Sequence, residues 1–317
     1  MNRTILGTMN IEYTHSSNSN TSLEYYQSII ETYISQTDNP ILDTAYYYGN
    51  TKTEQILGKI LPNLSCQLAT KANPWFENDF TNGKFGQLSC KELTRQLETS
   101  LNHLGKEKVD VFYLHCPDYE TPIQETLEIC DQLWRKEKFD YLGISNFSNI
   151  QLQEILYICE KNKFNIPRYY QGMYNIICRK VEEIFPILDD YNIHFWAYNP
   201  LAGGLLSGKY KNGIPESNTR FSSNSIYQNI FWKPEIIEPL NYFFQSPVCL
   251  ENSLNWIYKY SKLSPNKDKI IIGVSTLEQL NKNIEIIRDE NRYDNNTINY
   301  LNQLYFKIKD VSPNYFY

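Results

Sequence analysis

The chain contains no Cys-x-x-Cys pair, and its seven cysteines are scattered and odd in number. That pattern excludes a disulfide scaffold and a cysteine-rich zinc site. It implies reduced thiols in a cytoplasmic protein, most of them acting as small buried hydrophobes. Excess positive charge is missing as well. The formal net charge is −6, so the basic face that a nucleic-acid partner requires is not expected. Apolar runs of the ~20 residues that span a bilayer do not occur, and the first residues lack a signal-peptide core, so no membrane partner is expected either. Histidine is scarce, four in all, and no second histidine or cysteine stands at metal-ligand spacing with His115, so no metal site is expected. A G-x-G-x-x-G turn is absent too: Leu6-Gly7-Thr8-Met9, at the end of the first apolar run, does not provide it, and this argues against a doubly wound dinucleotide fold.

What the sequence does contain is alternation. Short bounded apolar runs cover residues 4–9, 41–42, 67–70, 109–114, 141–144, 169–174, 193–198 and 269–274. Helical patterns follow at residues 22–34, 54–61, 121–136, 148–162, 180–191 and 277–288, with a further one opening at Ser89. Short continuous apolar runs between helices predict parallel strands covered on both faces. Eight such units in this length predict an α/β chain, a single (β/α)8 TIM barrel over residues 1–317. A long βα loop, residues 201–234, follows strand 7, and a C-terminal helix, residues 297–309, precedes the tail.

Active sites of such barrels lie at the carboxyl ends of the strands. Read there, the ends offer Met9, Asp43 with Tyr48, Lys71, His115, Ser145-Asn146, Gln171, Tyr198-Asn199 and Ser275. A phenol titrates near pH 10, too high to be a ready acid at neutral pH. A neighbouring ammonium lowers that value and a carboxylate holds the ammonium, so Asp43, Lys71 and Tyr48 together make a tunable proton donor. After strand 7 comes Asn199-Pro200-Leu201-Ala202-Gly203-Gly204-Leu205-Leu206-Ser207-Gly208-Lys209. Its glycines let backbone amides approach a pyrophosphate, and Lys209 adds charge. Tyr210 stands where a nucleotide-hydrolysing loop needs Ser or Thr, so a pyrophosphate loop without hydrolysis is expected. Ser275 or Thr276 can cap the helix after the last strand, and that helix end is a second phosphate candidate.

The motifs Asp43-Thr44-Ala45-x-x-Tyr48, Ala69-Thr70-Lys71, Tyr113-Leu114-His115, Gly143-Ile144-Ser145-Asn146 and Gln171 resemble the aldo-keto reductase superfamily. Ala69 to Trp75, Tyr170 to Asn175, Ala197 to Lys209 and Pro313-Asn314-Tyr315-Phe316 resemble its aflatoxin aldehyde reductase branch nearly verbatim. The resemblance covers essentially the whole chain. It implies NADPH as cofactor and an aldehyde or ketone as substrate, reduced by hydride transfer with Tyr48 as proton donor. Lys71 and Asp43 would lower the pKa of Tyr48, and His115 would orient the carbonyl. Ser145, Asn146 and Gln171 would hold the carboxamide, and Tyr198 would stack on the nicotinamide. Asn199 to Lys209 would wrap the pyrophosphate, with Arg220, Ser275, Thr276, Gln279 and Asn283 at the adenosine end. Met9, His115, Tyr227, Trp232 and Tyr315 would line an apolar, aromatic substrate pocket. The same resemblance places arginines that hold acidic aldehydes such as succinic semialdehyde where this chain has Ile230 and Tyr317. It leaves a homodimer open. Two other readings stay beside it: an NADPH-binding sensor or partner subunit with little turnover, and a Schiff-base lyase using Lys71 as nucleophile.

Overall fold

The structure, a computed structural model, describes residues 3–11, 23–78, 83–213, 220–223 and 225–316, without the side chains of Arg220 and Ser223. Eight strands close a parallel barrel: β1 (Thr4–Gly7), β2 (Ile41–Asp43), β3 (Gln67–Ala72), β4 (Val109–Leu114), β5 (Phe139–Ser145), β6 (Tyr169–Met173), β7 (His194–Tyr198) and β8 (Lys269–Gly273). Each pairs with the next, and β8 closes on β1 through Ile5 opposite Ile271. Helices α1 (Leu23–Ser35), α2 (Lys52–Ile60), α3 (Cys90–Leu104), α4 (Ile123–Arg135), α5 (Asn149–Asn162) and α6 (Phe185–Asp190) follow the first six strands in turn. The excursion after β7 carries α7 (Arg220–Ser223), α8 (Ser225–Phe231), α9 (Pro234–Phe244) and α10 (Cys249–Asn255), and α11 (Leu277–Arg288) and α12 (Asn295–Ile308) follow β8.

Side chains alternate across a strand, and this period of two decides what each residue faces. On β3, Ala69 joins the cluster inside the barrel with Ile5, Ile41, Val111, Tyr113, Trp196 and Ile271. Leu68 instead belongs to the larger layer between strands and helices. Lys71 therefore points inward with Ala69, and Thr70 points outward with Leu68. Room for the inner layer depends on Gly143: a Cβ there would stand 2.3 Å from the Tyr113 ring, so no larger residue fits without displacing that phenol.

Four expectations need correction. Lys71 lies inside β3, one residue before its end, rather than beyond it. β1 stops at Gly7, so Met9 sits in the turn that follows. The segment expected as a long loop after β7 itself carries two short helices, α7 and α8, ahead of the helical stretch expected from Glu235. The helix expected over residues 180–191 is also divided, a 3-10 turn Lys180–Ile184 running into α6. Pro186 at the start of α6 has no N–H to continue a single α-ladder across that point. No helix among the described residues is long and apolar enough to cross a membrane.

Candidate active site

β2 and β3 meet in register, Asp43 opposite Ala69, and this places the Asp43 carboxylate beside the Lys71 ammonium. Lys71 Nζ donates to both carboxylate oxygens, at 2.8 and 2.7 Å, and to the Thr44 carbonyl at 2.7 Å. Both side chains are buried, Lys71 completely. Burial pulls the lysine pKa down while the Asp43 charge pushes it back up. An ammonium whose three N–H groups each meet an acceptor, with a carboxylate against it, is poorly set up to attack a carbonyl, which weighs against the Schiff-base reading. Gln171, from β6, donates Nε2–H to Asp43 Oδ1 at 2.9 Å, bracing the carboxylate from the far side of the barrel.

Tyr48, from the turn after β2, presents its ring 5.1 Å from Lys71 Nζ. The His115 imidazole stands 6.0 Å from that ring, nearly edge-on. His115 follows β4 directly, its N–H held by the Ala72 carbonyl at 2.9 Å. Burial, and then the Lys71 charge, depress its pKa to about 3, so the ring is a neutral donor and acceptor throughout the working pH range. Trp75 covers it at 5.4 Å and packs edge-on against Tyr47 at 5.3 Å. An ammonium, a phenol and a neutral imidazole thus converge on one spot at the carboxyl end of the barrel, where a carbonyl oxygen could accept two hydrogen bonds.

Beside it, the ends of β5 and β7 form a polar shelf. Tyr198 donates to Asn146 Oδ1 at 2.8 Å, and Asn146 donates to the His115 carbonyl at 3.0 Å and to Ser145 Oγ at 3.1 Å. Asn146 holds this position with φ +64°, a conformation that asparagine tolerates better than most residues.

The loop after β7 is wound more tightly than its glycines imply. Amides of Ala202, Gly204, Leu206 and Gly208 donate within the loop, and the Gly203 amide donates to Asn199 Oδ1 at 2.5 Å. Gly203 and Gly204 have φ +68° and +94°; a Cβ on the first would stand 2.5 Å from the Tyr227 ring and on the second 2.9 Å from the Lys209 stem. The close approach is made by the chain's own side chains, and several of the amides expected to meet a pyrophosphate are already paired. Pro200, Leu201, Leu205 and Ser207 complete that turn, Leu205 being fully buried and the Ser207 hydroxyl bonding the Gly204 carbonyl. At the last βα junction Thr276 caps α11, accepting from the Gln279 amide at 3.1 Å, and the Gln279 side chain accepts from the Ser275 amide at 2.8 Å. Asn283 is buried one turn further on.

The structure brings Asp43, Tyr48, Lys71, His115, Ser145, Asn146, Gln171 and Tyr198 into one network. Apart from His115, the substrate candidates are each held by neighbours of their own. Met9 is half-buried in its turn. Tyr227 packs over Gly203, and Trp232 packs against Phe221 and Tyr210 at 5.6 and 6.0 Å. Tyr315 is buried, its hydroxyl tied to Glu183 and to the Asn149 amide, which makes it an anchor of the C-terminal tail. Ile230 packs against the core. Tyr317 lies outside the described residues, and the Arg220 side chain is not among those described. Sequence reasoning missed two residues. Trp75 covers His115, and its signal was a large aromatic four residues past Lys71. Glu54 is fully buried, and its signal was an acid three residues before Leu57 on the apolar stripe of α2.

A model of the aldo/keto reductase family matches residues 3–305. Aflatoxin B1 aldehyde reductase member 2 of Homo sapiens is 39% identical over 297 residues, 87% of this chain and 80% of that protein. Aldo-keto reductase family 7 member A3 of Homo sapiens is 38% identical over 298 residues, 87% of each chain. Among solved structures, an aldo/keto reductase from Klebsiella pneumoniae in complex with NADP and acetate superposes with TM-score 0.67 at 19% identity, covering 99% of this chain and 93% of that one.

Proposed function

The chain belongs to the aldo/keto reductase family, and from that premise we propose that it reduces aldehydes, and some ketones, to alcohols with NADPH, Tyr48 giving the proton. The observation that carries the reading is the buried Lys71–Asp43 pair, with the Tyr48 ring 5.1 Å from the ammonium and the neutral His115 ring beside it. The cofactor fits the residues present. Ser145, Asn146 and Gln171 offer amide and hydroxyl partners for a carboxamide, and the Tyr198 ring stands at the same rim. Gly203 and Gly204 let the loop run close under the Tyr227 ring and the Lys209 stem, which keeps the Lys209 ammonium beside it. Bound there, NADPH supplies a hydride to the substrate carbonyl carbon.

The protein's own work is on the carbonyl oxygen. As negative charge develops on that oxygen, the Tyr48 hydroxyl transfers its proton, and the phenolate left behind is stabilised by the Lys71 ammonium. Asp43 keeps the ammonium charged and aimed. His115, neutral, donates one hydrogen bond to the same oxygen and sets its direction. Trp75 covers His115 and limits the access of water to it.

Substrates of this reading are neutral or aromatic aldehydes. Ile230, packed on the core, offers no cation to a carboxylate, and an unpartnered carboxylate in an aromatic setting is disfavoured. Cysteines that are all unpaired among the described residues support a reducing, cytoplasmic setting. A homodimer belongs to the same reading and is measured by light scattering. The deciding experiment is Tyr48→Phe. It should bind NADPH with unchanged affinity and lose about 10²–10⁴-fold in kcat, the usual contribution of a general acid. Near-normal turnover in that variant removes Tyr48 from the mechanism.

A further inference from the structure

Glu54 has no part in the chemistry above, yet it is a fully buried carboxyl on α2. Its Oε1 accepts from Thr70 Oγ1 at 2.5 Å. Its Oε2 has no partner in hydrogen-bonding geometry, the Ser100 hydroxyl of α3 being the dipole beside it. Thr70 is the chain neighbour of Lys71, and strand alternation sends one outward to α2 and the other inward to Asp43. The barrel wall at this point therefore carries a carboxyl on each side of one ammonium. The interaction is mutual: Glu54 favours the charged form of Lys71, and Lys71 favours the charged form of Glu54.

Few other charges compete for this carboxyl. From β3 the facing groups are Thr70 and Lys71, and from α3 Ser100. His103 of α3 meets Gln55, and Glu92 and Arg95 of α3 pair with each other at the surface. From α1 the buried Tyr33 hydroxyl is bonded to the Thr4 and Ile41 carbonyls. Lys52 and Lys59 of α2 itself are exposed.

We propose that Glu54 is a positioning residue for the reaction: acting through the barrel wall on Lys71, its charge sets how strongly the ammonium acidifies Tyr48. The idea rests on the proposed role of Tyr48. With Glu54 protonated, the Asp43–Lys71–Glu54 group is neutral overall. With Glu54 ionised the group carries one net negative charge, which opposes ionisation of Tyr48 and keeps the phenol loaded at higher pH. Burial, moderated by Thr70, brings the Glu54 pKa up to about 7, so both charge states are populated near neutrality.

Glu54→Gln tests this, because the amide keeps the volume and can still accept from Thr70 but cannot ionise. The alkaline limb of kcat for aldehyde reduction, where Tyr48 loses its proton, should move to lower pH by about half a unit or more, the effect of removing a single charge acting through protein. NADPH affinity, read by fluorescence quenching, should not change. Glu54→Asp should return the limb towards its original position. Thr70→Val, which leaves every carboxylate in place and removes the hydrogen bond that favours the ionised acid, should displace the limb in the same direction as Glu54→Gln. It also serves if Glu54→Gln fails to fold. An alkaline limb that stays in place in Glu54→Gln and Thr70→Val, with only thermal stability altered, overturns the proposal. A limb that survives in the residual activity of Tyr48→Phe overturns the role of Tyr48 instead, so the two failures are distinguishable.

Discussion

Replacing Asp43 by Asn breaks the buried pair while leaving the shape of the site nearly intact. In the parent, Lys71 Nζ has two contacts to the carboxylate and one to the Thr44 carbonyl, and it is wholly buried. The variant leaves an ammonium in the barrel with one carbonyl and at most one amide oxygen, and Gln171 loses its charged acceptor. Removing one partner of a buried pair costs about 3–5 kcal/mol, because the remaining charge is uncompensated. At ~2 °C per kcal/mol for a large domain, this is about 6–10 °C in Tm. The loss has a pH signature. Burial already lowers the Lys71 pKa, and without Asp43 it falls further. The unfolded chain then holds a proton that the folded one gives up more easily. The penalty is largest below the folded pKa and shrinks as pH rises towards the ordinary lysine value of ~10.4. Stability of Asp43→Asn relative to the parent should therefore recover between neutral and alkaline pH. The double variant Asp43→Asn/Lys71→Met, with no charge left to bury, should regain most of the loss and remain inactive. Urea denaturation at several pH values measures all of this. A cost below about 1 kcal/mol for Asp43→Asn, or a double variant no more stable than the single, would refute the argument that the pair is desolvated and mutually dependent.

The remaining expectations concern specificity and the imidazole. Steady-state rates should favour a neutral nitrobenzaldehyde over succinic semialdehyde, and Ile230→Arg should narrow the gap mainly through KM for the acid, since a guanidinium contact would be made in ground and transition states alike. A parent enzyme that already prefers the acid contradicts the reading that no cation at position 230 meets a carboxylate. His115 has its pKa depressed to about 3, so it stays neutral on lowering the pH from 8 to 5, and no limb of the kcat profile in that window belongs to it. Its depressed pKa works against stability as pH falls below the unfolded value of ~6.5, because only the unfolded chain then takes up the proton; His115→Gln should flatten that slope in denaturation curves.

Much of this molecule is legible one residue at a time. Short apolar runs between helical patterns are a local property, and they predict eight parallel strands, a closed barrel and a rim of polar strand ends. Asp43, Lys71, His115 and Gln171 could be placed at that rim because strand alternation and strand termination are themselves local. Sequence alone could not say which outer residues press back on the site. Gln171 reaches Asp43 across 128 positions of chain. Trp75 reaches His115 through the fold of its loop, and Glu54 meets Thr70 only once α2 is laid on the barrel wall. Hydrogen-bond competition was equally hidden: the loop at 202–208 carries the composition of a phosphate cradle, yet in three dimensions several of its amides close on its own carbonyls. Tyr315 illustrates the same limit, an aromatic that the family resemblance assigns to a substrate pocket and that the tail's path ties to Glu183 and Asn149. Periodicity records which face a side chain takes. Which partner waits on that face depends on contacts between distant segments, and those exist only after the barrel has closed.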